Sequence, residues 1–224
     1  WIVDLWGADH HGYVPRMKSA LKAMGYDESV FKVMLIQFVS LKRGGEKISM
    51  STRSGEFETL ADVIKDVGLD ATRFFFLMRS SDTHLDFDLE LAKKESADNP
   101  VFYIQYAHAR ICSIFRKATE NGIKLLDSSD IDLSPLKNEE EFIMIKKILT
   151  FGEIIEKSAE LLEVHRIAFY LQDLVGTFHR YYSRNRIVSD DHALSSARLF
   201  LMNCLRITIR NGLSVMGVSA PDRM

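Results

Sequence analysis

The sequence carries almost no excess of either charge. Across 224 residues, 29 lysines and arginines stand against 31 aspartates and glutamates, a formal net charge of −2. A polycation is excluded, so any nucleic-acid contact has to come from a local patch and not from the global field. Cysteine is nearly absent: Cys112 and Cys204 are the only two, far apart and without Cys-x-x-Cys or Cys/His ligand spacing. A disulfide framework is excluded, and both thiols read as buried apolar fillers in a reducing compartment. No apolar run reaches the roughly 20 residues that span a bilayer, and no signal peptide is visible. No membrane role is therefore expected, and the cytoplasm is the expected location. Internal repeats and low-complexity segments are absent too. What is left is an ordinary globular composition, 46% hydrophobic and 27% charged, enough for one large domain or two small ones. The chain opens in mid-strand on Trp-Ile-Val-Asp-Leu-Trp without Met, and Ala220–Met224 reads as a natural end. A piece that has lost its amino-terminal part is the expectation.

Organisation starts from Gly44 to Gly55, Gly-Gly-Glu-Lys-Ile-Ser-Met-Ser-Thr-Arg-Ser-Gly. Glycines bracket it, so the backbone can approach a ligand closely. Lys47, Ser49, Ser51, Thr52 and Arg53 put hydroxyls and cations on one loop, a set that suits a polyphosphate. Composition alone favours a solvated Ser/Gly loop; the rest of the chain shifts the balance.

Trp1–Trp6 reads as a buried strand closed by Gly7, followed by an amphipathic helix from Val14 to Met24 and a second strand over Phe31–Val39. Strand, helix, strand is a βαβ unit with a parallel sheet. Ligands of such sheets sit beyond the strands' carboxyl ends, which places Gly7–Gly12 and Gly44–Gly55 on one edge. There Asp9 can accept from ribose hydroxyls. His10 and His11 offer metal ligands, but neighbours in sequence point different ways and no third ligand stands at i+4. Hydrogen bonding to substrate, or to the neighbouring loop, is the better reading, and no metal site is expected.

Thr59–Met78 reads as two helices split at Gly68, each with its own cap, Thr59 and Asp70. Ser80–Glu90 reads as a polar, irregular connector. From Asn99 the pattern is helical almost throughout. Asn99-Pro100 starts a helix that Asn121-Gly122 stops, Asn121–Asn138 is a loop, and Glu139–Leu162, Val164–Tyr182 and Ser189–Val215 complete a bundle. The domain division expected is 1–58, 59–98 and 99–224. The fold class is mainly α with a small α/β part.

Tyr103, Tyr106 and Arg110 stand at i, i+3 and i+7 and share a helical face. Tyrosine rings and guanidinium planes so placed stack unpaired bases, each worth ~1–3 kcal/mol. His179–Arg186 adds three arginines and two tyrosines, a mixture that suits single-stranded RNA loops. Alternatively the tyrosines face the core and the arginines cap a helix end. Both clusters on one bundle favour RNA.

Several stretches resemble one family. Trp6-Gly-Ala-Asp-His-His-Gly-Tyr-Val-Pro-Arg16 and Gln37–Gly55 look like segments of arginyl-tRNA synthetase, the second being its version of the class I Lys-Met-Ser-Lys-Ser loop. Asp70-Ala-Thr-Arg-Phe-Phe-Phe-Leu-Met-Arg-Ser80, Tyr106-Ala-His-Ala-Arg110 and Gly217–Met224 match as well. The resemblance covers essentially the whole chain. It implies the carboxy-terminal part of a Rossmann-type catalytic domain followed by an all-α anticodon-binding bundle. It further implies ATP, with magnesium as Mg-ATP, arginine and the arginine tRNA as partners, and a monomer. By position, Gly7, Asp9, His10 and Gln37 would line the ATP site. Lys47 and the loop Ser49, Met50, Ser51, Thr52, Arg53 would close on the phosphates. Tyr103, Tyr106, Arg110, Tyr182 and Met224 would hold anticodon bases, and Thr59–Met78 would contact the inner side of the tRNA. The loop departs from the class pattern: Ser49 and Thr52 stand where its two lysines would be, so Lys47, Arg53 or a cation from elsewhere must serve. A His-Ile-Gly-His-type motif is absent, so these residues alone are expected to be catalytically incomplete. The alternatives are a non-catalytic tRNA-binding helical module, or a small αβ metallohydrolase using Asp9, His10 and His11.

Overall fold

The computed structural model describes residues 1–48 and 58–224. β1 (Ile2–Gly7) and β2 (Phe31–Ile36) form a two-stranded parallel sheet joined through α1 (Val14–Ala23), the βαβ unit expected from the alternation of strand and helix patterns. Their register pairs Ile2 with Phe31 and Gly7 with Ile36.

The second strand ends earlier than its apolar run. Chain direction changes at Gln37-Phe38, where the Gln37 N–H donates to the Ser81 carbonyl at 2.9 Å. β3 (Val39–Arg43) then joins a different sheet, ordered β4-β3-β5, with β4 at Glu46–Lys47 and β5 at Leu85–Asp88. Two expectations are corrected here. Gly44-Gly45, with φ of +60° and +88°, is the tight turn of a β3–β4 hairpin and does not follow β2; two positive-φ residues in a row are what such a turn requires. Residues 80–90 are not all irregular either: Leu85-Asp-Phe-Asp88 alternates buried and outward positions and pairs parallel with β3.

α2 (Leu60–Val67) begins at a complete capping box, the Thr59 side chain accepting from the Asp62 N–H while the Asp62 carboxylate accepts from the Thr59 N–H. α3 (Leu69–Leu77) starts one residue after α2 ends, with Gly68 as its N-cap. Asp70 is therefore not the cap it was expected to be; it lies inside the first turn. α4 (Leu89–Lys93) leads to α5 (Pro100–Glu120), whose N-cap Asn99 accepts from the Phe102 N–H and donates to the Ala92 and Lys94 carbonyls, both at 2.9 Å. Glu139–Leu162 divides at Thr150 into α6 (Glu139–Leu149) and α7 (Phe151–Leu161), and α8 (His165–Arg184) and α9 (His192–Val215) follow. Their apolar faces meet in one core that includes Ile104, Ile111, Leu171, Phe178, Leu199, Met202 and Leu205, and that continues without a break through Phe74, Phe75, Phe87 and Leu41. Cys112 is buried as expected, whereas Cys204 is only half-buried.

Glu141 ties the bundle's far end together. It is fully buried and accepts from the Tyr181 hydroxyl at 2.6 Å, from Arg198 Nε at 2.8 Å and from the Asn138 N–H at 3.1 Å. A buried carboxylate is tolerated only when paired and hydrogen-bonded in this way.

Candidate functional site

Helical geometry splits the basic-aromatic run that ends α8. Tyr181 turns inward onto Glu141 and is fully buried, while Tyr182, one position on, is half-buried at the surface. Tyr182 meets α5 there. A cavity of about 500 Å³ is lined by Tyr106, Ala109, Arg110, Ser113, Arg116, Tyr182, Arg223 and Met224. The Arg110 guanidinium donates to the Tyr106 hydroxyl and sits over two rings, 4.6 Å from the Tyr106 centroid and 5.1 Å from that of Tyr182. Four residues singled out from the sequence, Tyr106, Arg110, Tyr182 and Met224, thus converge on one opening.

Tyr103 does not join them. Its ring packs on His179 at 4.4 Å, and the same imidazole lies 6.1 Å from the Tyr106 ring and nearly parallel to it. Tyr103 instead lines a separate cavity beside Phe75, Met78 and Asp86. The two tyrosines share a face of α5, but His179 separates the spaces they open on. Burial holds the His179 imidazole below its ordinary pKa, the nearby Arg110 cation adds to this, and a hydrogen bond to the Tyr103 carbonyl opposes it.

The segment after α9 brings Arg223 and Met224 to the opening. It runs along one stripe of α5. Gln105 Nε2 donates to the Ser219 carbonyl at 2.9 Å, His108 Nδ1 lies 3.0 Å from the Pro221 carbonyl, Cys112 donates to Asp222 at 3.3 Å, and Arg116 donates to the Asp222 carbonyl at 3.2 Å. Burial, then the Asp222 carboxylate, push the Cys112 thiol up, keeping it a protonated donor. From α3, Asp70 accepts from the Ser219 N–H at 3.1 Å, from its hydroxyl, and from Gln105 Nε2 at 2.8 Å, and Arg73 donates to the Gly217 carbonyl at 2.6 Å. Gly217 has φ +66°, and a Cβ there would meet Arg73 Nη1 at 3.0 Å. Sequence reading missed Asp70, Arg73, Gln105 and Arg116 as supports of this site. The four α5 residues that hold the strip, Gln105, His108, Cys112 and Arg116, repeat at helical spacing, but the strip they hold lies over 100 residues away.

Gly7, Asp9 and His10 stand at the carboxyl end of β1, exposed, and Gln37 leaves β2 one step past the Gly7–Ile36 pair. A Cβ on Gly7 would meet Asp9 Oδ1 at 2.4 Å, so the exposed Asp9 side chain lies directly against the glycine at the strand end. Gln37 also lines an apolar cavity of about 340 Å³ between this sheet and α7 and α8, with Leu5, Ile36, Phe76 and Leu162. Lys47 is exposed on β4 opposite Lys42. Ser49, Met50, Ser51, Thr52 and Arg53 lie outside the described residues. Asp9, His10 and His11 do not converge on a metal: His11 Nδ1 lies 3.0 Å from the Ala8 carbonyl, and among the described residues only His108, Cys112 and Asp222 bring three potential ligand atoms within 4.8 Å of one another. The Pro221 carbonyl already engages that His108 ring.

Fold and pocket together define an all-α bundle that opens two tyrosine rings and a stacked guanidinium to a cavity of small-ligand size. Residues 104–224, more than half of the chain, match the DALR anticodon binding domain, and the chain belongs to that family. A protein of Geobacter sp. (strain M21) named arginine–tRNA ligase is 54% identical over 226 residues, covering 100% of this chain and 40% of the relative. One of the same name from Syntrophotalea carbinolica is 51% identical over 223 residues, with the same coverage. A solved structure from Campylobacter jejuni, described as an arginyl-tRNA synthetase, superposes with a TM-score of 0.88 at 36% identity, over 99% of this chain and 47% of that one. The chain thus spans about 40% of the length of the curated relatives it matches. Among the described residues no helix is long and apolar enough to cross a membrane.

Proposed function

We propose that this chain is the carboxy-terminal part of an arginine–tRNA ligase, a cytoplasmic monomer that activates arginine with ATP and passes the arginyl group to the terminal ribose of the arginine tRNA. One observation carries the RNA half of this reading: Tyr106, Arg110, Tyr182 and Met224 line a single surface cavity. Unpaired anticodon bases would stack there, each contributing ~1–3 kcal/mol, with Arg110 between the rings to meet base edges or phosphate. Tyr103 acts behind the pocket, through His179, and not as a wall of it.

The names of the relatives support the catalytic half, and the residues present fit it. Asp9 offers an exposed carboxylate beside Gly7 for ribose hydroxyls, with His10 and Gln37 at the same strand edge. Lys47 leads into Ser49, Met50, Ser51, Thr52 and Arg53, the segment that would meet the phosphates of Mg-ATP. Magnesium would spread the charge of those phosphates, and Lys47 and Arg53 are the cations here that take the place of the class lysines.

The test is arginylation of arginine tRNA by the intact protein. Tyr106→Ala is expected to raise KM for tRNA by about 5- to 150-fold, the loss of one stacked base, with a smaller change in kcat. The 224 residues alone should bind the tRNA and transfer no arginine. Tight tRNA binding by an intact protein that never charges it would replace this reading with a non-catalytic RNA-binding module.

A further inference from the structure

Beside the first cavity lies a second, of about 470 Å³, lined by Ser113, Ile114, Lys117, Tyr182, Asn185, Arg186, Ile187 and Val188. Ser113 and Tyr182 belong to both, so the two openings are neighbours with Tyr182 between them. The second is of the size that small ligands occupy. Ile114 and Ile187 are buried at its base beside Val188, and its rim carries two exposed cations, Lys117 and Arg186. Among the described residues no carboxylate lies within 4.0 Å of either.

The loop that builds this wall is fixed from beneath. Arg198 Nη1 donates to the Arg186 carbonyl at 2.8 Å while its Nε is held by the buried Glu141. Asn185 donates to the Tyr181 carbonyl at 3.0 Å and accepts from Asn138 at 3.2 Å. These bonds hold the backbone and leave the Arg186 side chain outward. They also use Asn185, the one amide on the wall, within the protein.

We propose that this cavity takes the nucleotide next to the one held by Tyr106 and Arg110: an unpaired base resting on the Ile114, Ile187 and Val188 shelf against Tyr182, with its phosphates on Lys117 and Arg186. Aliphatic shelf, ring and unpaired cations, with the wall amide engaged elsewhere and the Ser113 hydroxyl also lining the cavity, make a site whose grip comes from stacking and phosphate charge more than from reading the base. The inference rests on the RNA-binding reading above.

The test uses the intact protein and the anticodon stem-loop of an arginine tRNA, titrated over a range of salt. Lys117→Ala with Arg186→Ala should weaken binding about 10-fold at low salt and flatten the plot of log affinity against log salt by about 1.4, since each phosphate contact to a single strand contributes ~0.7. An abasic nucleotide at the neighbouring position should weaken binding, while exchange of one base for another there should leave it within about 2-fold. Tyr106→Ala should weaken binding without flattening the slope. A control of equal charge, Arg16→Ala with Lys22→Ala on α1, should leave both unchanged. A slope unmoved by the first pair, or moved as much by the control, overturns the second site and leaves the first intact. Failure of the wild type to bind the stem-loop overturns the RNA reading, and this site with it.

Discussion

The two ends of the chain bury their apolar residues very differently. In the bundle, α5, α8 and α9 interlock side chains with no exposure at all, Ile104, Ile111, Leu171, Phe178 and Leu205 among them. In the β1–α1–β2 unit, Phe31 alone among residues 1–40 is buried, while Trp1 is 74% exposed and Leu5 68%. The contrast is not one of composition, since β1 and β2 are as apolar as any helix. It is one of partners: a sheet needs both faces covered. Here β1 and β2 border α7 and α8 across a cavity and do not interdigitate with them. A single core, from Leu41 through the bundle, therefore supports residues 39–224, whereas the βαβ unit presents a large apolar surface of the kind that marks an interface.

The sharpest way to break that comparison is to cut it. A chain beginning at Val39 should unfold cooperatively with a midpoint within a few degrees of the 224-residue chain, and residues 1–38 alone should show no transition, as expected when a small unit lacks a core. Loss of cooperativity in the shorter chain would mean that β1 and β2 supply part of the core after all. Next in size is Glu141→Ala. It strands Arg198 and the Tyr181 hydroxyl in the interior, and breaking a buried pair of this kind costs about 3–5 kcal/mol, to be read as a shift in denaturation midpoint. An effect under ~1 kcal/mol would show that water reaches the site.

A smaller effect is expected inside the well-packed region, where α3 meets the strip that follows α9. Asp70 and Arg73 on α3 hold the strip that carries Arg223 and Met224 to the pocket. Asp70→Ala removes a carboxylate that accepts from three donors, leaving the Ser219 N–H and one of the two Gln105 amide hydrogens without that acceptor, a loss of about 1–3 kcal/mol. Affinity for the stem-loop should fall about 10-fold although Asp70 lines no part of the cavity. Gly217→Ala should act in the same direction, because alanine at φ +66° is strained and its Cβ crowds Arg73. If both variants bind normally, the strip is held by α5 alone.

What could be read without coordinates follows the range of the forces involved. Caps and turns act over three or four residues, so Thr59, Asn99 and the Gly68 break were legible, as was the βαβ alternation. The Asn138-Glu-Glu-Glu141 capping box carried the same signature and went unread. β5 had a visible period-2 signal in Leu85 and Phe87, masked by the acids between them. The α6–α7 break at Thr150 has no Pro, and Gly152, the one glycine beside it, lies inside the first turn of α7 and marks no stop. Asp70 looked like a cap because its partner Ser219 lies 149 residues away, and no local pattern encodes such a pair. Tyr103 and Tyr106 were equivalent by spacing; His179, delivered by another helix, separates them.

The smallest expected effect concerns that histidine. Burial depresses the folded-state pKa of His179 below the unfolded value near 6.5. The unfolded chain then binds the proton more readily, so stability from this group is complete above about pH 6.5 and is lost as pH falls towards the depressed folded value. Other groups titrate over the same range, so the variant has to keep the ring stack and remove the proton site. His179→Phe does both, preserving contact with Tyr103 and Tyr106. Between pH 7.5 and 5.5 the wild type should lose more unfolding free energy than His179→Phe, measured by denaturant titration at each pH. Equal losses would show that the imidazole is as accessible to protons in the folded bundle as in the unfolded chain, and that the wall between the two tyrosines is open to water.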